Sequence, residues 1–181
     1  MPCILSNYPE CNNFTDIKRI ICDLEVKEEW TRDKALDAGK QYLMTHNLIN
    51  QKSFKAENNM PALNTIERLF GSMAEYQEAE EIEKLKDCIV VAVTPLRVYL
   101  FGSFATGTNG EESDYDFYVV VNDDVENIVD ITTKAYRALR GLKKRPVDIV
   151  VGKKSSFDER KHWKLSLERE VADKGVLLYA S

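Results

Sequence analysis

Leu100–Val121 reads LFGSFATGTNGEESDYDFYVVV, and the fold of the chain turns on this stretch. An apolar run, Arg97 to Phe101, enters a Gly102-Ser103 turn. A loop of small residues follows through Gly107 and Gly110, and then Ser113-Asp114-Tyr115-Asp116 opens a second apolar run, Phe117 to Val121. Both runs have the length and β-branched or aromatic content of buried strands. Three of the eight glycines lie between positions 102 and 110, which concentrates backbone freedom at one connection.

In an extended strand, residues two apart face the same side. Asp114 and Asp116 therefore project two carboxylates together. Unpaired carboxylates at close range repel, and one is driven towards protonation. A divalent cation removes that conflict, and oxygen-only ligands with room for water and phosphate suit Mg²⁺. Glycine lets backbone N–H groups and the Ser103 hydroxyl approach a phosphate closely. A later run, Pro146-Val147-Asp148-Ile149-Val150-Val151, reads as another short buried strand with Asp148 as its lone charge. An isolated Asp in a core strand is costly. It becomes reasonable if Asp148 lies beside Asp114 and Asp116 on a neighbouring strand. Three carboxylates on two strands can hold two Mg²⁺ ions.

A Gly-Ser turn, then Ser-Asp-x-Asp, then a lone Asp on a later strand resembles the nucleotidyltransferase superfamily that includes DNA polymerase beta. Within it, the minimal nucleotidyltransferases are the nearer likeness and kanamycin nucleotidyltransferase the more distant. The resemblance runs from about Glu83 to the C-terminus. It implies phosphate contacts at Gly102, Ser103 and Ser113, and metal and catalytic roles for Asp114, Asp116 and Asp148. Family members often carry a basic residue soon after the Gly-Ser turn, where this chain has Phe104 and Thr106. The ending Leu167-Glu168-Arg169-Glu170 … Gly175-Val176-Leu177-Leu178-Tyr179 is also similar to the minimal nucleotidyltransferases, whose tail packs beside the sheet.

The chain of 181 residues has room for one domain or two small ones. A net charge of −5 argues against general adhesion to nucleic acid. Cys3, Cys11, Cys22 and Cys88 form no CxxC pair and fit no zinc spacing. No apolar run reaches the length of a membrane span, and no signal peptide is visible. A cytoplasmic protein with reduced thiols is expected.

Ahead of the decisive stretch the pattern is helical. Ile17, Ile20, Ile21 and Leu24 fall at helical spacing. Thr31 or Asp33 is placed to cap a helix carrying Ala35, Ala38, Tyr42 and Leu43, ended by His46-Asn47. Asn64 or Thr65 starts a short helix stopped by Gly71, and a longer one begins after Ser72. Short helices with tight turns suggest a helix-turn-helix layout. The run Pro61-Ala62-Leu63-Asn64-Thr65-Ile66-Glu67-Arg68-Leu69-Phe70-Gly71-Ser72 resembles the small repeat found beside homing endonucleases, with Met73 where an aromatic is usual. That resemblance implies a DNA-binding module, with Asn64 to Phe70 as its reading helix and Lys52, Lys55, Asn64 and Arg68 as candidate contacts. Between Lys27 and Glu80, however, seven Lys/Arg face nine Asp/Glu, whereas a DNA reader normally shows a basic face.

Glu78 to Lys86 reads as the solvated face of a helix whose buried stripe is Ile82, Leu85, Ile89, Val90 and Val93, with Pro95 ending it. This helix is shared across the expected boundary. Asp123 and Asp124 read as caps for an amphipathic helix, Val125 to Leu139. Arg137, Arg140, Lys143, Lys144 and Arg145 suit a helix C-terminus, although part of the cluster could face a triphosphate. One last helix is expected over Phe157 to Asp173, with His162 on the surface.

The expected fold is therefore α+β: a small mixed sheet with flanking helices over residues 82–181, behind an all-helical module over residues 1–81. The expected activity is Mg²⁺-dependent transfer of a nucleoside monophosphate, AMP above others, from an NTP to an acceptor hydroxyl. Asp148 helps deprotonate that hydroxyl. The resemblance implies a protein acceptor, such as a toxin countered by its antitoxin. A catalytically silent DNA-binding regulator and an aminoglycoside-type small-molecule transferase are the alternatives.

Overall fold

The computed structural model describes residues 29–46, 49–55 and 58–181. The helix expected around Ile17–Leu24, the cysteines Cys3, Cys11 and Cys22, and Asn47 lie outside them. Helix α1, Arg32–Thr45, opens under Thr31, whose hydroxyl accepts from the Lys34 N–H at 3.3 Å. Helix α2, Leu63–Phe70, starts one residue before Asn64 and is ended by Gly71. Helix α3, Met73–Val93, is capped by Ser72, whose hydroxyl accepts from the Glu75 N–H at 3.1 Å. Ala35, Ile49, Phe54, Ile66, Phe70 and Tyr76 gather these helices into one apolar cluster.

After Pro95 the sheet begins with β1, Arg97–Phe101. A short helix, α4, spans Gly102–Thr106, so the expected Gly-Ser turn is the first turn of a helix. Then follow β2, Tyr115–Val121, α5, Ile128–Ala138, and β3, Val147–Lys153. Helices α6, Lys154–Arg160, and α7, Leu167–Lys174, lead into β4, Val176–Ala180. The strand order is β3-β2-β1-β4; β1 lies antiparallel to β2 and β4, and β2 parallel to β3 through the α5 crossover. The sheet is therefore mixed, and its tail is a strand paired with β1 through a register shift between Val98 and Tyr99.

Strand β2 is central and buried on both faces, which its nearly unbroken apolar run demands. Tyr115, Phe117, Val119 and Val121 meet Leu85, Ile89 and Val93 of α3 and Ala135 of α5. Tyr118 and Val120 meet Phe157 of α6 and Val171 of α7 on the opposite face.

Four expectations are corrected. The helix expected over Phe157 to Asp173 is two helices, broken where Leu165 takes a positive φ of 67° and Ser166 caps α7. Asn127 caps α5, while the Asp123 carboxylate accepts from the Ser155 N–H at 3.0 Å and so caps α6 from a distance in sequence. Asp124 is exposed and caps nothing among the described bonds. The charged run 78–86 is not uniformly solvated: Glu80 is 4% exposed, beneath α1.

Candidate active site

The site forms where β1 ends and β2 begins. Phe101, the last residue of β1, lies opposite Asp116, and Asp116 lies opposite Asp148 in the parallel ladder. Asp114 stands just ahead of β2. The topology thus gathers the three expected aspartates at one end of two adjacent strands. One expectation fails here. Asp148 is exposed rather than buried, because β3 is an edge strand and Asp148 sits near its start.

The electrostatics mark Asp116. Burial, then the charges of Asp148 and Asp114, raise its carboxyl above the usual range. No positive side chain among the causes offsets this. The donor set is all oxygen and doubly frustrated by like charge, the condition a hard divalent cation relieves. By chemistry the residues fit Mg²⁺. Among the described residues, no three His, Cys, Asp or Glu side chains are drawn closely enough to enclose an ion.

Gly102 is required by this arrangement. Its φ is +69°, and a Cβ there would overlap the Asp116 carboxylate. The residue that turns the chain into α4 therefore also makes room for the central aspartate. Ser103 occupies the first turn of α4, where its carbonyl accepts from the Thr106 hydroxyl at 3.3 Å and the Thr108 N–H at 3.0 Å. Ser113 closes the loop on itself: its hydroxyl accepts from the Gly110 N–H at 2.8 Å. That bond gives Ser113 a structural role ahead of any phosphate.

Phe104 packs on the Tyr115 ring with centroids 4.5 Å apart. The Arg145 guanidinium lies over Phe104, 5.6 Å from its centroid, and pairs with Glu78 of α3 at 2.8 Å. Arg145 is thus turned towards α3. Arg137, Arg140, Lys143 and Lys144 remain exposed. The sequence reading missed Glu78 and Glu81 as framework residues. Glu81 takes the Tyr115 hydroxyl at 3.3 Å and the Lys144 N–H. Their signal was present: Glu78, Glu81, Leu85 and Ile89 share one helical face.

The candidate DNA contacts lie elsewhere. Asn64 and Arg68 are exposed on α2, one turn apart, and Arg68 pairs with Glu29 at 3.4 Å. Lys52 lies in a 3₁₀ turn, Gln51–Ser53, with Lys55 just after it. A cavity of about 730 Å³ opens between α1 and residues 54–65, lined by Trp30, Phe54 and Met60 among others, and none of the candidate site residues lines it. His162 is exposed, as expected.

Residues 80–178 match the family model described as nucleotidyltransferase domain. A candidate protein adenylyltransferase of Methanocaldococcus jannaschii is 30% identical over 83 residues, covering 46% of this chain and 77% of that protein. A candidate nucleotidyltransferase of Sulfolobus solfataricus superposes with a TM-score of 0.41 at 23% identity, over 56% of this chain and 78% of the other. A toxin–antitoxin structure with AMP-PNP superposes with a TM-score of 0.37 at 25% identity, over 55% and 73%. Superpositions at these scores add no weight to the family match. No helix among the described residues is long and apolar enough to cross a membrane.

Proposed function

We propose that this chain, which belongs to the nucleotidyltransferase domain family, transfers AMP from ATP to a hydroxyl group on a partner protein. The observation that carries the reading is the gathering of Asp114, Asp116 and Asp148 at the strand ends, with Asp116 seated against Gly102, where a Cβ would overlap its carboxylate. Asp114 and Asp116 would hold the Mg²⁺ ions, with Asp148 completing the second site. Bound there, the metal would supply charge neutralisation on the triphosphate. Gly102 and Ser103 offer backbone N–H groups and a hydroxyl to the β- and γ-phosphates. Asp148, exposed at the edge strand, would meet an incoming acceptor and take the proton of its hydroxyl. Most of the rate would come from positioning and charge complementarity.

The description of the Methanocaldococcus relative supports a protein acceptor and AMP as the transferred group. A toxin held in check by this chain is the acceptor we favour, in a cytoplasm that supplies ATP. The test is calorimetric ATP binding with and without Mg²⁺ on the wild type and Asp116→Asn, followed by AMP incorporation into candidate partners. Metal-dependent binding lost in Asp116→Asn is expected. Equal binding in both proteins, or none in either, would sink the reading.

A further inference from the structure

We propose that Arg145 is a positioning residue that holds the loop delivering Asp114 to the carboxylate cluster, an inference that rests on that cluster being the catalytic site. The loop between α4 and β2, residues 107–114, is largely exposed, and added Cβ atoms at Gly107 and Gly110 would meet nothing within 4 Å. It therefore has little packing of its own. Its far end is locally stiff, because Ser113 and Gly110 exchange two hydrogen bonds: Gly110 N–H to the Ser113 hydroxyl at 2.8 Å and Ser113 N–H to the Gly110 carbonyl at 3.2 Å. Whatever holds Gly110 thereby holds Asp114, the residue after Ser113.

Arg145 holds it. Its guanidinium donates to the Gly110 carbonyl at 3.3 Å and to the Glu111 carbonyl, while its other amino group donates to Glu78 at 2.8 Å. Apart from the bonds to α4, these are the described hydrogen bonds that tie the loop to the rest of the protein. A planar fork reaches two carbonyls and a carboxylate in fixed, separate directions, so lysine keeps the charge and loses the geometry. The Arg145 and Glu78 side chains are 23% and 24% exposed, so the pair is less screened than an open surface bridge. The tie also reaches the other carboxylate strand. Arg145 immediately precedes Pro146, whose carbonyl accepts from the Tyr115 N–H at 3.0 Å as the β2–β3 ladder begins. One side chain thus fixes Asp114 against the strand pair that bears Asp116 and Asp148.

The experiment uses the full chain as wild type, Arg145→Lys, Arg145→Ala, Glu78→Gln and Asp116→Asn. Amide hydrogen exchange is followed without metal or nucleotide, and Mn²⁺ binding is followed by electron paramagnetic resonance beside a non-hydrolysable ATP analogue. Both Arg145 variants should accelerate exchange over residues 108–114 by roughly tenfold while central β2 and α3 amides keep their protection. Mn²⁺ affinity should fall about tenfold in the same variants, with Glu78→Gln between them and the wild type. A purely structural role would lower global protection without this selectivity, which overturns the proposal. So does loop exchange that matches the wild type, including the case where only the affinity for the ATP analogue falls, because that would make Arg145 a substrate contact. If Asp116→Asn abolishes Mn²⁺ binding but the Arg145 variants bind like the wild type, the positioning role alone fails. If wild-type Mn²⁺ binding does not depend on Asp116, the site reading fails and takes this inference with it. Arg145→Lys and Glu78→Gln keep the test decisive if Arg145→Ala does not fold.

Discussion

Glu80 should make the stability of this protein depend on pH near neutrality. Its side chain is 4% exposed, and neither carboxylate oxygen has a hydrogen-bond partner in the structure. Tyr76 lies beside it, but the single Tyr76 hydroxyl proton goes to the Ala35 carbonyl at 2.9 Å. With that proton engaged, an ionised Glu80 gains little from Tyr76, whereas a protonated Glu80 can donate to the Tyr76 oxygen. Burial pushes the carboxyl up to about 7 from 4.5; the neighbouring Tyr76 hydroxyl and then Lys40 pull it back, and Glu83 and Asp37 reinforce the rise. A rise of that size corresponds to about 3 kcal/mol between the two protonation states. The direction follows from linkage: the folded state binds the proton more tightly than the unfolded chain. The contribution is complete below pH 4.5, is lost as pH rises through 7, and is absent above it. Glu80→Gln mimics the protonated form and cannot ionise. Urea denaturation of both proteins from pH 4.5 to 8.5 is the assay. The stability of Glu80→Gln relative to wild type should climb by about 3 kcal/mol across that range. Taking the difference between the proteins cancels groups that titrate alike in both. Parallel profiles would refute the buried-acid argument.

Three other outcomes can be checked directly. Gly102→Ala should abolish nucleotidyl transfer and cost about 1–3 kcal/mol of stability in a denaturation experiment, because it combines a positive φ with overlap of Asp116. Mg²⁺ at about a hundred times its dissociation constant should stabilise the wild type by about 2.7 kcal/mol, seen as a raised Tm, and leave Asp116→Asn unmoved. Tyr118→Phe should cost about 1 kcal/mol, measured by denaturation, because Glu168 is buried and would keep only Arg160, at 3.1 Å, of its two described partners.

The catalytic half was legible because its signals are local. Arg97–Phe101 and the run ending at Val121 are apolar strands bounded by glycine and aspartate, and both appear, the second starting two residues ahead of Phe117, at Tyr115. The spacing of Asp114 and Asp116 and the lone Asp148 led to the same corner of the sheet. What escaped depends on long-range contacts. Alternation along Val147–Lys153 cannot tell an edge strand from a central one, so the exposure of Asp148 was not visible. The burial of Glu80 depends on Gly39, where a Cβ would overlap both Glu80 and the Tyr76 hydroxyl. A charged run read alone carries no trace of that partner. The break between α6 and α7 contains neither glycine nor proline, and only Ser166, the cap of α7, announces it.

Helix α3 imposes a constraint on any attempt to shorten the chain. It is 21 residues, about 30 Å, of continuous rod. Its first half is embedded through Tyr76 among the helices, and its second half is embedded through Leu85, Ile89 and Val93 under the sheet. The stretch shared with the family begins at residue 80, in the middle of that rod. A cut there would remove the Ser72 cap and the first two turns, and would bring Glu80 out from beneath α1 into water. The remaining fragment would carry a frayed helix on the very turn whose Glu81 holds Tyr115. Melting of the helical cluster and melting of the sheet should accordingly appear as one transition rather than two, and a transplanted catalytic sheet would have to bring the whole of α3 with it.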